Sequence, residues 1–187
     1  MKTDHVSDQE IIRGCIDRSH KYQELLYYKY SGKMFGVCLR YASNYHSAED
    51  ILQEGFVKVF RNIERFRGDG AFEGWLRRIF VNTAIEHFRK TVHLYPIVDS
   101  APLAPESADT NALDGLMAED LMTMLQELSP GYKTIFNLYA IEGYSHKEIA
   151  DMLNITEGTS KSQLSRARYL LQKKLQDLYK HTEENYV

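Results

Sequence analysis

Apolar residues recur along this chain at helical rather than strand spacing. Ser7 and Glu10 form an S-x-x-E capping box, and Ile11, Ile12, Cys15 and Ile16 mark one stripe behind it. The pattern next predicts a helix from about Gln23 to Ala42. Another opens near Ser47 and gathers Ile51, Phe56, Val59 and Phe60 on one face. The glycine-bearing break ERFRGDGAFEG follows, and then a helix from about Phe72 to Lys90 carrying Trp75, Leu76, Ile79, Phe80 and Ala84. Few stretches alternate at period two, and the D-G dipeptide at Asp69-Gly70 is flanked by helical patterns rather than strand-like ones. The predicted fold is all-α.

The C-terminal third repeats the helical signal in shorter pieces. A helix is predicted from about Leu116 to Leu128, a stop at Ser129-Pro130-Gly131, and a helix from about Tyr132 to Glu142 ended by Gly143. Ser145 and Glu148 form a second capping box ahead of Ile149, Ala150, Met152 and Leu153. Asn154 tolerates the left-handed conformation that a sharp turn needs, Ile155 fills the angle, and Thr156 is the N-cap of a helix from Glu157. On that last helix Ser160, Leu164, Ala167 and Leu171 share one face. The other carries Lys161, Ser162, Gln163, Ser165, Arg166 and Arg168, with Lys173 and Lys174 further on. A charge run alone would equally mark a solvated face. Caps, turn, small residue and basic face together indicate a helix-turn-helix, whose second helix can offer Gln and Arg to base edges and Lys and Ser to phosphates.

Composition adds a division of the chain. The 187 residues are 43% hydrophobic, enough for real cores, and the net charge of -3 names no anionic partner. From Thr91 to Tyr132 there is no Lys or Arg, while Asp99, Glu106, Asp109, Asp114, Glu119, Asp120 and Glu127 fall there with Pro96, Pro102 and Pro105. We read 93–118 as a flexible acidic linker between helical domains at 1–92 and 119–187. Cys15 and Cys38 form no C-x-x-C pair and read as apolar core residues in a reducing compartment. No apolar run approaches the roughly 20 residues of a membrane span, and the N-terminus is too polar for a secretory signal, so the expected location is cytoplasmic.

Charge is concentrated where total charge is not. Arg61, Arg65, Arg67, Arg77, Arg78, Arg89 and Lys90 outnumber Glu64, Asp69, Glu73 and Glu86 around the glycine break, a basic stripe suited to phosphates. Gly68 and Gly70 permit close backbone approach, and an aromatic there offers a stacking face for a single-stranded base. Trp75 reads as a packing residue, and Phe72 fits a core and a pocket wall equally. An enzyme is not expected. His46, Glu49, Asp50 and Glu54 share a helical face, yet no second histidine stands at i+4, and no P-loop, nucleophile elbow or Rossmann pattern occurs. Neither a cofactor, a metal nor a small-molecule substrate is anticipated.

Particular words narrow the reading. YSHKEIADMLNITEGTSKSQLSRAR resembles the C-terminal domain of extracytoplasmic-function sigma factors of the sigma-70 family, and LSPGYKTIFNLYAIEGYS is similar to that domain's lead-in. The resemblance implies that Lys161, Ser162, Gln163, Ser165 and Arg166 meet the minus-thirty-five duplex. SAEDILQEGFVKVFRN is similar to the family's helix that docks on the clamp helices of the largest catalytic subunit of RNA polymerase, with Asp50, Gln53, Glu54 and Val57 at the docking positions. RFRGDGAFEGWLRRIFVNTAIEHFRK resembles the promoter-melting region. There Arg67, Gly68, Asp69, Gly70, Ala71 and Phe72 match the loop that receives a flipped minus-ten base, and Asn82 matches the edge of its pocket.

The resemblance implies an alternative sigma factor that directs core polymerase to promoters, restrained by an anti-sigma protein that can hold it at the inner membrane. It also suggests that the acidic linker passes through the polymerase interior as a mimic of nucleic acid. Two positions depart from the pattern. Ser160 replaces an apolar residue, which predicts looser packing of the recognition helix, and Gln163 stands where a basic residue is common, which bears on promoter preference. The alternative is a helix-turn-helix regulator that does not dock on polymerase. Such a protein needs a ligand pocket or a dimer face, whereas this first half carries an acidic helix and a basic, glycine-bearing loop.

Overall fold

The helical stretches fold as two units, Met1–Thr91 and Val92–Val187. The computed structural model describes residues 6–92 and 118–184, without the side chains of 91, 92, 118–121 and 178–184; the expected linker at 93–118 lies outside the described residues except for its last position. No strand occurs among the described residues.

In the first unit the helices are α1 (Asp8–Ile16), α2 (His20–Tyr41), α3 (Tyr45–Asn62) and α4 (Phe72–Val92), with a 3-10 turn at Ile63–Arg65 after α3. Ser7 caps α1 as its sequence suggests, its hydroxyl accepting from the Glu10 N–H at 3.2 Å. The capping box goes no further than that bond, because Glu10 Oε1 instead accepts the Tyr22 hydroxyl at 3.0 Å and ties α1 to α2. The start of α3 is likewise shifted. Asn44 is its cap, accepting from the Ser47 N–H at 2.8 Å, so Ser47 lies inside the first turn.

Ile11, Leu26, Met34, Ile51, Ile63, Leu76 and Phe80 are each at most 1% exposed and form the core of this unit. Each such side chain contributes about 1.5–3 kcal/mol of apolar transfer. Gly55 lets α4 approach α3: a Cβ there would lie 2.3 Å from the Phe80 ring. Both cysteines are free and buried, as expected, and burial pushes the Cys15 thiol up to about 11 and that of Cys38 to about 12.

The second unit contains α5 (Ala118–Gln126), α6 (Pro130–Phe136), a π-turn (Asn137–Ile141), α7 (His146–Leu153) and α8 (Glu157–Glu184). Helix α6 starts at Pro130 rather than Tyr132, since a proline at the first helical position lacks only an N–H that would be unpaired anyway. All residues from Gly131 to Leu138 are buried. Among them Lys133 is 2% exposed and donates to Gln126 Oε1 at 3.0 Å, and burial holds its ammonium below the ordinary lysine range. Gly143, at φ 79°, takes the left-handed conformation that ends this segment.

Candidate nucleic-acid interface

The α7–α8 pair is built by its own sequence. Ser145 and Glu148 form a complete capping box: the Ser145 hydroxyl accepts the Glu148 N–H, and Glu148 Oε2 accepts the Ser145 N–H at 2.8 Å. Asn154 ends α7 in the left-handed region at φ 55°, ψ 49°, and the Ile155 N–H donates to the Ala150 carbonyl at 3.0 Å. Thr156 caps α8 by accepting from the Thr159 N–H at 3.0 Å.

The inward face of α8 carries Ser160, Gln163, Leu164, Ala167, Leu171 and Leu175, all buried. Lys161 and Ser162 are exposed, and Ser165 and Arg166 half-exposed, at i, i+1, i+4 and i+5 of one helical face. Gln163 is the departure. It is 9% exposed, because a step of 100° per residue places it beside Ser160 and Ala167 rather than beside Ser162. Its Oε1 is buried without a hydrogen-bond partner. Ser160 is fully buried, and its Oγ shares a 2.9 Å hydrogen bond with His146 Nδ1.

The glycine loop of the first unit has a different construction. Arg67, Gly68, Asp69, Gly70 and Ala71 are all exposed. Gly68 and Gly70 stand at φ 81° and φ 152°, and a Cβ on either would meet nothing within 4 Å, so conformation rather than space calls for glycine. Phe72 closes the loop from below. It is 4% exposed, stacked on Trp75 at 5.7 Å and 17°, with Phe66 at 5.1 Å and Tyr30 at 5.7 Å edge-on. Of the two readings the sequence left open for Phe72, its burial among these rings fits a core residue beneath the loop. Asn82 is exposed ten residues along α4, about 15 Å of helix axis from Phe72. Arg61, Arg65, Arg78, Arg89 and Lys90 are exposed as well.

On α3, Asp50, Gln53 and Val57 are exposed, but Glu54 is half-buried and engaged. Lys58 Nζ lies 3.1 Å from Glu54 and 2.8 Å from Glu86 of α4, and its hydrogen bond holds the Glu54 carboxyl below the usual range. Beside Gln53 and Val57 opens a groove of about 650 Å³ between α2 and α3, edged by Tyr27, Phe35, Tyr45, Phe56 and Phe60 and with Gly32 open beneath it. This groove escaped the sequence reading. Its signal was available in Tyr27, Ser31, Gly32 and Phe35, where small residues separate aromatics on one side of a helix. Among the described residues, no group of three or more His, Cys, Asp or Glu could hold a metal ion.

Two family profiles match the chain: Sigma-70 region 2 over residues 26–93 and Sigma-70, region 4 over residues 118–171. The chain is 34% identical to the ECF RNA polymerase sigma factor SigW of Bacillus subtilis, covering 80% of this chain and 86% of that one. It is 30% identical to the RNA polymerase sigma-H factor of Pseudomonas aeruginosa, covering 91% and 95%. With the ECF RNA polymerase sigma-E factor of Haemophilus influenzae the identity is 29%, over 94% and 98%. A solved structure, the sigma factor RpoE in complex with the anti-sigma factor NepR from Bartonella quintana, aligns at TM-score 0.49 and 22% identity over 82% of this chain and 96% of that one.

Proposed function

We infer a division of labour from one premise: the chain belongs to the extracytoplasmic-function branch of the sigma-70 family and, as an alternative sigma factor, directs core RNA polymerase to promoters. The observation that carries the inference is the pairing of an exposed, glycine-built loop flanked in sequence by the exposed Arg61, Arg65 and Arg78 in one unit with a basic helix face in the other. Lys161, Ser162, Ser165 and Arg166 read the minus-thirty-five major groove, with Gln163 supporting the helix from its inner edge. Arg67 to Ala71 receive a flipped minus-ten base over the Phe72 floor, and Asn82 meets a neighbouring nucleotide. Extrusion costs a few kcal/mol, which contacts to the base and to the strand offset.

Asp50, Gln53 and Val57 dock on the clamp helices of the largest catalytic subunit, with Glu54 held in register by Lys58. Exposed carboxylate and apolar rim suit a basic partner helix, giving orientation more than affinity. An anti-sigma protein competes for such surfaces and retains the otherwise cytoplasmic chain at the membrane. The acidic linker runs along the polymerase's basic RNA path; its replacement by a neutral Gly/Ser sequence should impair initiation, and unimpaired initiation removes that part.

Run-off transcription with purified core polymerase tests the whole. Promoter-specific transcripts should arise only when this protein is present, and should be lost on changing either promoter element or their spacing. Initiation indifferent to both elements would refute the division of labour, and binding to palindromic DNA without core polymerase would favour the regulator instead.

A further inference from the structure

A chain of side chains leaves α8 and returns to it. Ser160, in the first turn and fully buried, shares its hydroxyl with His146 Nδ1 at the first residue of α7, 2.9 Å away. The His146 ring stacks on Tyr139, centroids 4.5 Å apart at 24°. Tyr139 belongs to the π-turn, and the Arg168 guanidinium carbon, two turns beyond Ser160, lies 5.6 Å from its ring centre. Lys161, Ser162, Ser165 and Arg166 fall between the two ends of this chain.

The apolar stripe of Leu164, Ala167 and Leu171 holds α8 against its unit. Burial is non-directional, so the stripe alone tolerates small rolls of the helix about its axis. A hydrogen bond and a ring stack are directional and do not. A roll of a few degrees would carry side chains on the outer face away from base edges, where productive geometry has a tolerance of about 0.5 Å. We propose that Ser160, His146 and Tyr139 form a clip that sets the roll of α8, which makes Ser160 and His146 positioning residues for minus-thirty-five recognition rather than contacts to DNA. The proposal rests on the reading of α8 given above.

The test uses holoenzyme reconstituted with core polymerase and a promoter that wild-type holoenzyme selects from a random library. The quantity measured is the ratio of affinities for that promoter with its minus-thirty-five element intact and substituted. Ser160→Ala and His146→Phe, the latter keeping a ring to stack on Tyr139, should each lower the ratio about fivefold. Affinity for the substituted promoter should be unchanged, whereas simple loss of folding would weaken both. The double variant should lose no more than the worse single one, since both remove the same bond. His146→Asn, which restores a hydrogen-bonding atom toward Ser160, should recover part of the ratio lost in His146→Phe. Additive losses, or single variants with the wild-type ratio, overturn the clip while leaving the reading of α8 standing. A wild-type ratio of one removes both.

Discussion

The loop at Arg67–Ala71 and the outer face of α8 are the two surfaces proposed above to meet nucleic acid, yet they are stabilised in opposite ways. The loop owes its shape to two positive-φ glycines with open space around them and to the aromatic floor of Phe66, Phe72 and Trp75. The α8 face owes its shape to a regular helix seated on a buried stripe and pinned at its first turn by capping. A flipped base needs a backbone that leaves helical geometry. A duplex groove needs a rod whose side chains keep their spacing. On the reading proposed above, the two surfaces would serve different targets because the backbone beneath them differs.

The most severe break in that contrast is Phe72→Ala. Removing a buried ring should cost about 3–5 kcal/mol, seen as earlier denaturant unfolding of the first unit, and should abolish promoter opening while leaving minus-thirty-five duplex binding intact. Equal damage to both activities would mean that the loop and the helix face do not act independently. Next in size is Arg166→Ala, which should weaken minus-thirty-five binding by about 1–3 kcal/mol in a titration and relax discrimination at one base pair. Promoter opening on a pre-melted template should not change.

Gly68→Ala forces a side chain into the left-handed region at a cost of about 1 kcal/mol, so open-complex formation should slow modestly with no change in duplex binding. The smallest effect sharpens the α8 side. Burial, with Lys161 and Arg168 nearby, holds the His146 pKa below its ordinary value, and Glu157 opposes this only in part. The unfolded chain therefore takes up the proton first as pH falls. The stabilisation is complete above the ordinary histidine value and declines as pH drops below it toward the folded pKa. An NMR titration of the His146 ring should show the depressed value, and His146→Asn should remove that part of the acid sensitivity.

Local signals made the α7–α8 pair legible: Ser145, Glu148, Asn154 and Thr156 all do what their chemistry suggests at those positions. At Ser7 the capping box is only half formed, because Glu10 finds Tyr22 across the helix pair, and α3 opens behind an Asn44 cap a little ahead of Ser47. A tertiary partner decides the first case, whereas the second turns on a side chain three positions away, inside any window of sequence. At Gln163 residue type suggested contact with DNA, and at Phe72 it left core and pocket wall open; helical phase buries the first, and neighbouring rings pack the second. The His146–Ser160 bond joins residues 14 apart, and the sequence showed only a serine where an apolar residue was expected.

Lys58 reaches Glu54 and Glu86 at once, joining the exposed face of α3 to α4. On the docking proposed above, a cationic partner arriving at Glu54 would meet a carboxylate that already has a counterion, so its binding there would be an exchange reaction that adds little to affinity.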